Sequence, residues 1–162
     1  MKRIISALLV ALLMFSFVSC MGNSAKTFTS NGMSITLTNA FKENTYEGYT
    51  VCYESKDVAV FVLKEAFSLQ EGLDEMSLDD YAELVYAANA SKSPSKISKE
   101  DGLTFIEYDF HNEEENQTYS YYTVMFKGTD AFWLVQFTSK KEDYDAKRQS
   151  FVDWAKTVEF DS

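Results

Sequence analysis

The sequence predicts an α+β domain, in which a twisted antiparallel sheet of about six to eight strands carries an amphipathic helix on each face, a three-layer α/β/α sandwich. Three observations support this fold class. Strand-like runs rich in aromatic and β-branched residues follow one another across tight turns, which makes neighbouring strands antiparallel. Two segments have the apolar period of a helix. Some strands are apolar on both sides, so other elements must cover both faces of the sheet.

The first elements of the domain are strands. Residues 27–37 are predicted to form two strands with a turn at Ser30-Asn31-Gly32, because Asn and Gly tolerate positive φ. The second of these strands alternates apolar and polar residues, which predicts one solvated face. Residues 49–55 and 57–67 are predicted to form the next hairpin, and residues 58–63 within it are apolar on both sides.

The first helix is predicted to begin after Ser77. The Ser77 hydroxyl is suited to cap a helix, and Asp79 and Asp80 complement the positive end of the helix dipole. Apolar residues then recur with the helical period, at Leu78, Tyr81, Leu84, Val85 and Ala88. The helix is expected to end near residues 89–91, ahead of Pro94.

The centre of the sheet is predicted at residues 118–140, which form two long strands joined at residues 127–130. The second of these strands is apolar on both sides. One side carries Ala131, Trp133, Val135 and Phe137, and the other carries Phe132 and Leu134. A strand with this pattern is covered on both faces, so the hairpin should lie in the middle of the sheet.

The last elements are a helix and a short strand. The helix is predicted over residues 141–156, where one stripe contains Tyr144, Arg148, Phe151, Val152 and Ala155. Residues 157–160 then alternate as a strand with two apolar side chains pointing inward. One globular domain is therefore predicted over residues 27–162.

The first twenty residues have the pattern of an export leader. Two basic residues precede an apolar run that ends in Ser19-Cys20. The run is short for a spanning helix, which needs about 20 apolar residues. It resembles a bacterial lipoprotein signal, which implies removal of residues 1–19, lipidation of Cys20 and a short tether over residues 20–26. The protein would then be anchored to the extracytoplasmic side of a bacterial membrane. An ordinary signal peptide with a chance cysteine is the alternative.

The chain is acidic, with a formal net charge of −10 that becomes more negative once the basic leader is removed. This charge disfavours binding to nucleic acid and to anionic lipid headgroups. Solvation of the surface is the simplest interpretation, and recognition of a cationic partner is the alternative.

The sequence predicts no catalytic set, no cofactor and no metal site. Cys52 lies in a strand-like run and is expected to be buried and inert. His111, the only histidine, is expected to face solvent at a strand end. The enzymatic alternative is a carboxylate-dependent hydrolase that uses two of Glu107, Asp109 and residues 113–115. Such chemistry needs two carboxyl groups about 5–10 Å apart across a cleft.

Three segments of the sequence resemble a known family: TFTSNGMSITLTNAF, FIEYDF and FWLVQFTSKKEDYDAKRQSFVDWAKTVEF. They resemble the PsbP-like and DcrB-like domains, which share the Mog-type α/β/α sandwich. The resemblance spans roughly residues 27–160 and includes the final helix and a closing T-V-x-F strand. It implies the sandwich fold and a binding or assembly role, and it brings no catalytic residues.

The sequence therefore predicts a non-enzymatic, lipid-anchored binding or assembly module whose partner is an envelope protein, glycan or lipid. Aromatic residues make up 15% of the chain, and five are candidates for an exposed binding surface: Tyr119, Tyr121, Tyr122, Trp133 and Trp154. Alternatively, these side chains fill the core. A second functional alternative is a carrier that holds a small apolar ligand between sheet and helix.

Overall fold

Two antiparallel sheets form the framework of residues 24–161, the part of the chain that this computed structural model describes. The predicted leader, Cys20 and most of the predicted tether lie outside the described residues. The elements in chain order are β1 (Ala25–Ser30), β2 (Met33–Thr38), β3 (Lys42–Asn44), β4 (Val51–Glu54), β5 (Ala59–Ala66), α1 (Leu78–Ala88), β6 (Ser98–Glu100), β7 (Leu103–Asn112), β8 (Gln117–Lys127), β9 (Ala131–Lys140), α2 (Lys141–Ala155) and β10 (Glu159–Phe160).

The larger sheet has seven strands in the order β3-β4-β5-β9-β8-β7-β6, and every neighbouring pair is antiparallel. Strand β9 is the middle strand, which confirms the predicted centre. Glycine suits the β8–β9 turn, because a Cβ at Gly128 would make a tight contact of 3.0 Å with Trp133 Nε1. The α+β fold class is confirmed.

A second, three-stranded sheet has the order β1-β2-β10. The prediction of a single sheet is therefore incomplete, although seven strands lie within the expected range. On β2, Met33, Ile35 and Leu37 are almost completely buried, and the residues between them are partly exposed. A strand with one wet face can lie at the edge of a large sheet or in a small sheet packed against it, and alternation alone does not distinguish the two.

Helix α2 and the small sheet together cover one face of the larger sheet. Phe151 of α2 is fully buried, and its ring stacks on Phe137 of β9 at 5.6 Å. Phe160 of β10 stacks on Trp133 at 5.3 Å. The main core of the protein lies between these layers.

Helix α1 packs against the opposite face. Ser77 caps α1 as predicted, because its hydroxyl accepts a hydrogen bond from the Asp80 backbone N–H at 3.1 Å. Tyr81 stacks on Phe132 of β9 at 4.1 Å with nearly parallel rings. The expected helix on each face is thus present. Neither of these two helices is long and apolar enough to cross a bilayer.

Candidate functional site

Helix α1 covers only one half of its sheet face. With 11 residues it is about 16 Å long, whereas β7, β8 and β9 have 10 or 11 residues and extend over about 33 Å. The residues that pack against α1 include Ile106, Met125 and Leu134. The same face continues beyond them for several residues on each strand without a helix above it.

We name this uncovered half the tyrosine-rich face. Cross-strand pairs place its residues on one side of the sheet: Phe61 lies opposite Gln136, Tyr108 opposite Tyr121, and Phe110 opposite Tyr119. Two more aromatic rings come from the loop between β3 and β4 and pack against Phe61. The tyrosine-rich face consists of Tyr46, Tyr49, Phe61, Tyr108, Phe110, Tyr119, Tyr121 and Gln136.

The tyrosine-rich face is accessible to solvent. Tyr46 is 42% exposed, Tyr49 38% and Phe110 44%, although large aromatic side chains are normally buried. Tyr121 is half-buried and stacks on the buried Tyr108 ring at 5.0 Å. The face therefore exposes aromatic rings that pack against neighbouring rings of the same face.

A small cavity opens at the centre of the tyrosine-rich face. Its volume is about 220 Å³, and its lining consists of Tyr49, Lys92, Tyr108, Phe110, Tyr121 and Gln136. Lys92 comes from the turn after α1, and its Nζ lies 4.8 Å from the centre of the Tyr108 ring. Gln136 Nε2 donates a hydrogen bond to the Tyr108 hydroxyl at 3.1 Å. We name this feature the aromatic cavity.

Burial governs the titration of the cavity's side chains. It raises the pKa of Tyr108 to about 12, and it also raises the pKa of Tyr49 and of Tyr121. Burial lowers the pKa of Lys92. The tyrosine hydroxyls therefore stay neutral near pH 7, where each can donate and accept hydrogen bonds.

The five predicted surface aromatics do not form one surface. Tyr119 and Tyr121 lie on the tyrosine-rich face, whereas the half-buried Trp154 lies on α2 and contacts Phe41 edge-on at 5.3 Å. Tyr122 and Trp133 are 0% and 1% exposed, so the prediction of a surface role is wrong for these two. Consecutive strand residues point to opposite sides, and both of these side chains face α2 and the small sheet.

Sequence reasoning missed much of the tyrosine-rich face. Tyr46 lies in a segment whose pattern indicates only a loop of mixed charge, and Tyr49 was predicted to begin a strand, whereas both lie in the loop between β3 and β4. Two tyrosines close together in the sequence were the available signal. Tyr108 and Phe110 alternate with carboxylates on β7, which indicates two different sides without saying which side is open. Lys92 and Gln136 carry no local signal that connects them to this face.

Glu107, one of the carboxylates of the hydrolase alternative, is held by two side chains of α2. This carboxylate accepts a hydrogen bond from Arg148 Nε at 2.7 Å and another from the Tyr144 hydroxyl at 2.5 Å. Both partners lie on α2, so the contacts hold the helix against β7.

Asp109 is held in the same way. It lines the same open depression of about 360 Å³ as Glu107, and it accepts hydrogen bonds from Lys141 at 2.5 Å and from the Ser120 hydroxyl at 2.6 Å. Burial acts to raise the pKa of Asp109, but the hydrogen bonds from Lys141 and Ser120 outweigh it and bring that pKa below its usual range. A general acid needs the opposite shift.

His111 and Cys52 are the remaining side chains considered as reactive groups or metal ligands. His111 Nδ1 lies 3.0 Å from Thr118 Oγ1, beside the acidic turn of residues 113–115. Within residues 24–161 no three His, Cys, Asp or Glu side chains are grouped as metal ligands. Cys52 is fully buried as expected, and burial, followed by the charge of Glu54, raises the pKa of its thiol to about 11.

A second surface feature lies beside α1. The apolar groove, of about 440 Å³, runs between α1, the 3₁₀ turn after β5, and strands β5 and β9. Its aliphatic lining is Leu63, Leu69, Leu73, Leu84, Val85, Ala88 and Leu134. Leu69 is 74% exposed and Leu84 55%, and the Tyr81 hydroxyl donates to Glu65 at 2.5 Å within the lining. This groove is the place where a carrier would hold its ligand.

Comparisons with known proteins define the fold. A scan against protein-family models and a search of curated proteins returned no match. Among solved structures, the chain is similar to cyanobacterial PsbP from Synechocystis sp. PCC 6803, with a TM-score of 0.55 and 11% identity, over 92% of this chain and 98% of that one. It is also similar to a protein from Bacteroides thetaiotaomicron, with a TM-score of 0.52 and 15% identity, over 85% of this chain and 48% of that one. The fold is PsbP-like, which confirms that part of the resemblance, and the DcrB-like part stays a prediction.

Proposed function

We propose that this protein is a non-enzymatic binding module, held on the extracytoplasmic side of a bacterial membrane by a lipid on Cys20, and that its tyrosine-rich face contacts a protein, glycan or lipid of the cell envelope. The observation that carries the proposal is the half of the sheet that α1 leaves uncovered. Tyrosine offers large, amphipathic contact area with few rotatable bonds, and binding surfaces are enriched in it.

Two further observations support the proposal. The PsbP-like fold agrees with the binding or assembly role that the sequence resemblance implies. Glu107 and Asp109, the carboxylates that a hydrolase would need, are held by basic side chains of α2.

Site-directed photocrosslinking in intact host cells tests the face. A photoreactive phenylalanine analogue replaces Phe110 on the tyrosine-rich face, Leu84 in the apolar groove, or Gln149 on the exposed side of α2. All three positions are exposed, so only the location differs. We expect a crosslinked product from position 110 that position 149 does not give. Equal products from both positions, or none from position 110, would contradict the proposed contact surface.

Metabolic labelling with an acyl-chain probe tests the anchor. We expect the label on the wild-type protein and on Cys52→Ala, and its loss from Cys20→Ala, since Cys52 is fully buried. Mass analysis should find the chain beginning at Cys20. An intact leader with an unmodified thiol would contradict lipid anchoring.

The second candidate function is a carrier of a small apolar ligand, and the apolar groove favours it. Leu69 and Leu84 are both exposed and line the same groove, and a contiguous exposed apolar patch, unlike a single exposed leucine, marks a ligand or partner site. Native mass spectrometry of protein purified from its own host should then find a co-purifying ligand, which Leu84→Glu should lose. A mass that matches the protein alone would exclude the carrier role.

A further inference from the structure

We infer that the aromatic cavity binds an acidic sugar ring, of the hexuronic acid class, in an envelope glycan. This inference rests on the proposed function, because it assigns a ligand class to the tyrosine-rich face.

The shape and lining of the cavity favour a sugar over a lipid. A volume of about 220 Å³ suits one six-membered ring better than a folded acyl chain. The apolar walls are the rings of Tyr49, Tyr108, Phe110 and Tyr121, and the described lining contains no Leu, Ile or Val. Pyranose rings have flat C–H faces that pack on aromatic rings, and their hydroxyl groups need hydrogen bonds at the rim. The apolar groove, lined by five leucines, has the opposite chemistry.

Polar groups at the cavity match the hydroxyl groups of a sugar. Gln136 uses Nε2 to donate to the Tyr108 hydroxyl at 3.1 Å, which fixes the orientation of its amide. Within residues 24–161, neither Gln136 Oε1 nor the Tyr49 hydroxyl has a hydrogen-bond partner at the cavity. One acceptor and one donor–acceptor group are therefore available to a ligand.

Lys92 supplies the charge that selects an acid. Its ammonium donates to Asn89 Oδ1 at 3.0 Å, and in the described part of the chain no carboxylate lies within the 4.0 Å that defines an ion pair. Lys92 is the one charged side chain among the described residues that line the aromatic cavity, so it is the group there that can select a charged ligand. An ammonium has three donors, and those not used by Asn89 can bind a carboxylate on the sugar ring.

Isothermal titration of the purified full chain in detergent micelles tests the inference. The probes are trigalacturonate, the neutral galactotriose and benzoate, which is a ring carboxylate without sugar hydroxyls. We expect trigalacturonate to bind, and galactotriose to bind about tenfold or more weakly, because it loses a charge-assisted hydrogen bond. Lys92→Gln should lower the affinity for trigalacturonate to that for galactotriose. Lys147→Gln, a matched loss of charge on α2 across the sheet, should leave the affinity unchanged.

A second variant separates stacking from charge. Phe110→Leu keeps an apolar side chain at an exposed position, so the fold should persist. We expect it to weaken both sugars by a similar factor, with circular dichroism as the check on folding. Such parallel weakening supports ring stacking, and unchanged binding of both sugars contradicts it.

Several results would overturn the inference. The inference fails if trigalacturonate does not bind at millimolar concentration, or if the two sugars bind with equal affinity. It also fails if Lys92→Gln and Lys147→Gln lower the affinity for trigalacturonate equally, or if only benzoate binds. If photocrosslinking from position 110 captures a protein while no sugar binds, the sugar inference fails and the proposed function stands. If position 110 captures nothing and no sugar binds, both fail.

Discussion

The two faces of the seven-stranded sheet differ in how much of their surface other elements cover. On one face, α2 and the small sheet lie over the strands, and Val60, Val135 and Phe137 beneath them are 0% exposed. On the other face, α1 covers one half, and Tyr49 and Phe110 on the other half are 38% and 44% exposed. The covered face supplies most of the hydrophobic stabilisation, because that term grows with the apolar area removed from water. The half-covered face leaves the rings of the tyrosine-rich face accessible to solvent.

The ion pairs follow the same division. On the covered face, Arg148 of α2 and Glu107 of β7 form a pair in which the side chains are 31% and 27% exposed. On the half-covered face, Asp79 of α1 and Lys99 of β6 form a pair that is 66% and 61% exposed. The first pair is screened less by water, so it should contribute more to holding its helix.

The largest expected effect compares two phenylalanines. Phe151→Ala removes a fully buried ring that stacks on Phe137, and we expect it to lower the free energy of unfolding by about 3–5 kcal/mol. Phe110→Ala, the same change on the tyrosine-rich face, should lower it by about 1 kcal/mol or less. Urea unfolding followed by circular dichroism measures both. Similar losses would mean that the two faces contribute equally to stability.

The ion pairs give the next largest difference. Arg148→Ala leaves Glu107 without its basic partner and should lower the free energy of unfolding by about 1–2 kcal/mol. Lys99→Ala breaks the exposed pair with Asp79 and should cost about 0.5 kcal/mol or less. The same unfolding measurement at two salt concentrations separates the pairs further. An equal effect of both substitutions would contradict the difference in screening.

Acid should weaken the covered face through Asp109. Its pKa in the folded protein lies below the ordinary value of about 4, so its ionised form stabilises the fold above that pH. This stabilisation is lost as the pH falls through the lower, folded-state pKa. We therefore expect Asp109→Asn to lose less stability than the wild type between about pH 5 and pH 2. Asp57→Asn, at an exposed turn, is the control, and an unchanged pH dependence in Asp109→Asn would contradict the prediction.

The smallest expected effect concerns Cys52, which lies on the same side of the sheet as Phe61. The rings of Tyr46 and Tyr49 pack on Phe61, and Cys52 is fully buried although no helix lies above it. In a Cys20→Ala background, Tyr49→Ala should raise the rate of thiol alkylation severalfold, while the free energy of unfolding changes little. An unchanged rate would show that this loop does not protect the thiol.

Much of the fold could be predicted from short-range pattern. The two-sided apolar pattern of β9 places it at the middle of the sheet, and Ser77 marks the start of α1. The separate small sheet could not be predicted, because β2 has the same alternation in either arrangement. The tyrosine-rich face could be predicted only in part. Tyr121 and Tyr122 have similar neighbours in sequence, yet one lies on the tyrosine-rich face and the other is in the core.

The sequence by itself determined the longer strands, both helices, the central hairpin and the expectation of cover on both faces, because the period of apolar residues depends on chain geometry alone. The short strands β3 and β6 have no such period. Only the tertiary structure decided where that cover stops. The uncovered half exists because α1 is shorter than the strands that it crosses, and the aromatic cavity exists because separate segments bring Tyr49, Lys92 and Gln136 to one place. Neither the position of α1 along the strands nor the meeting of distant segments is recorded in any local pattern of residues.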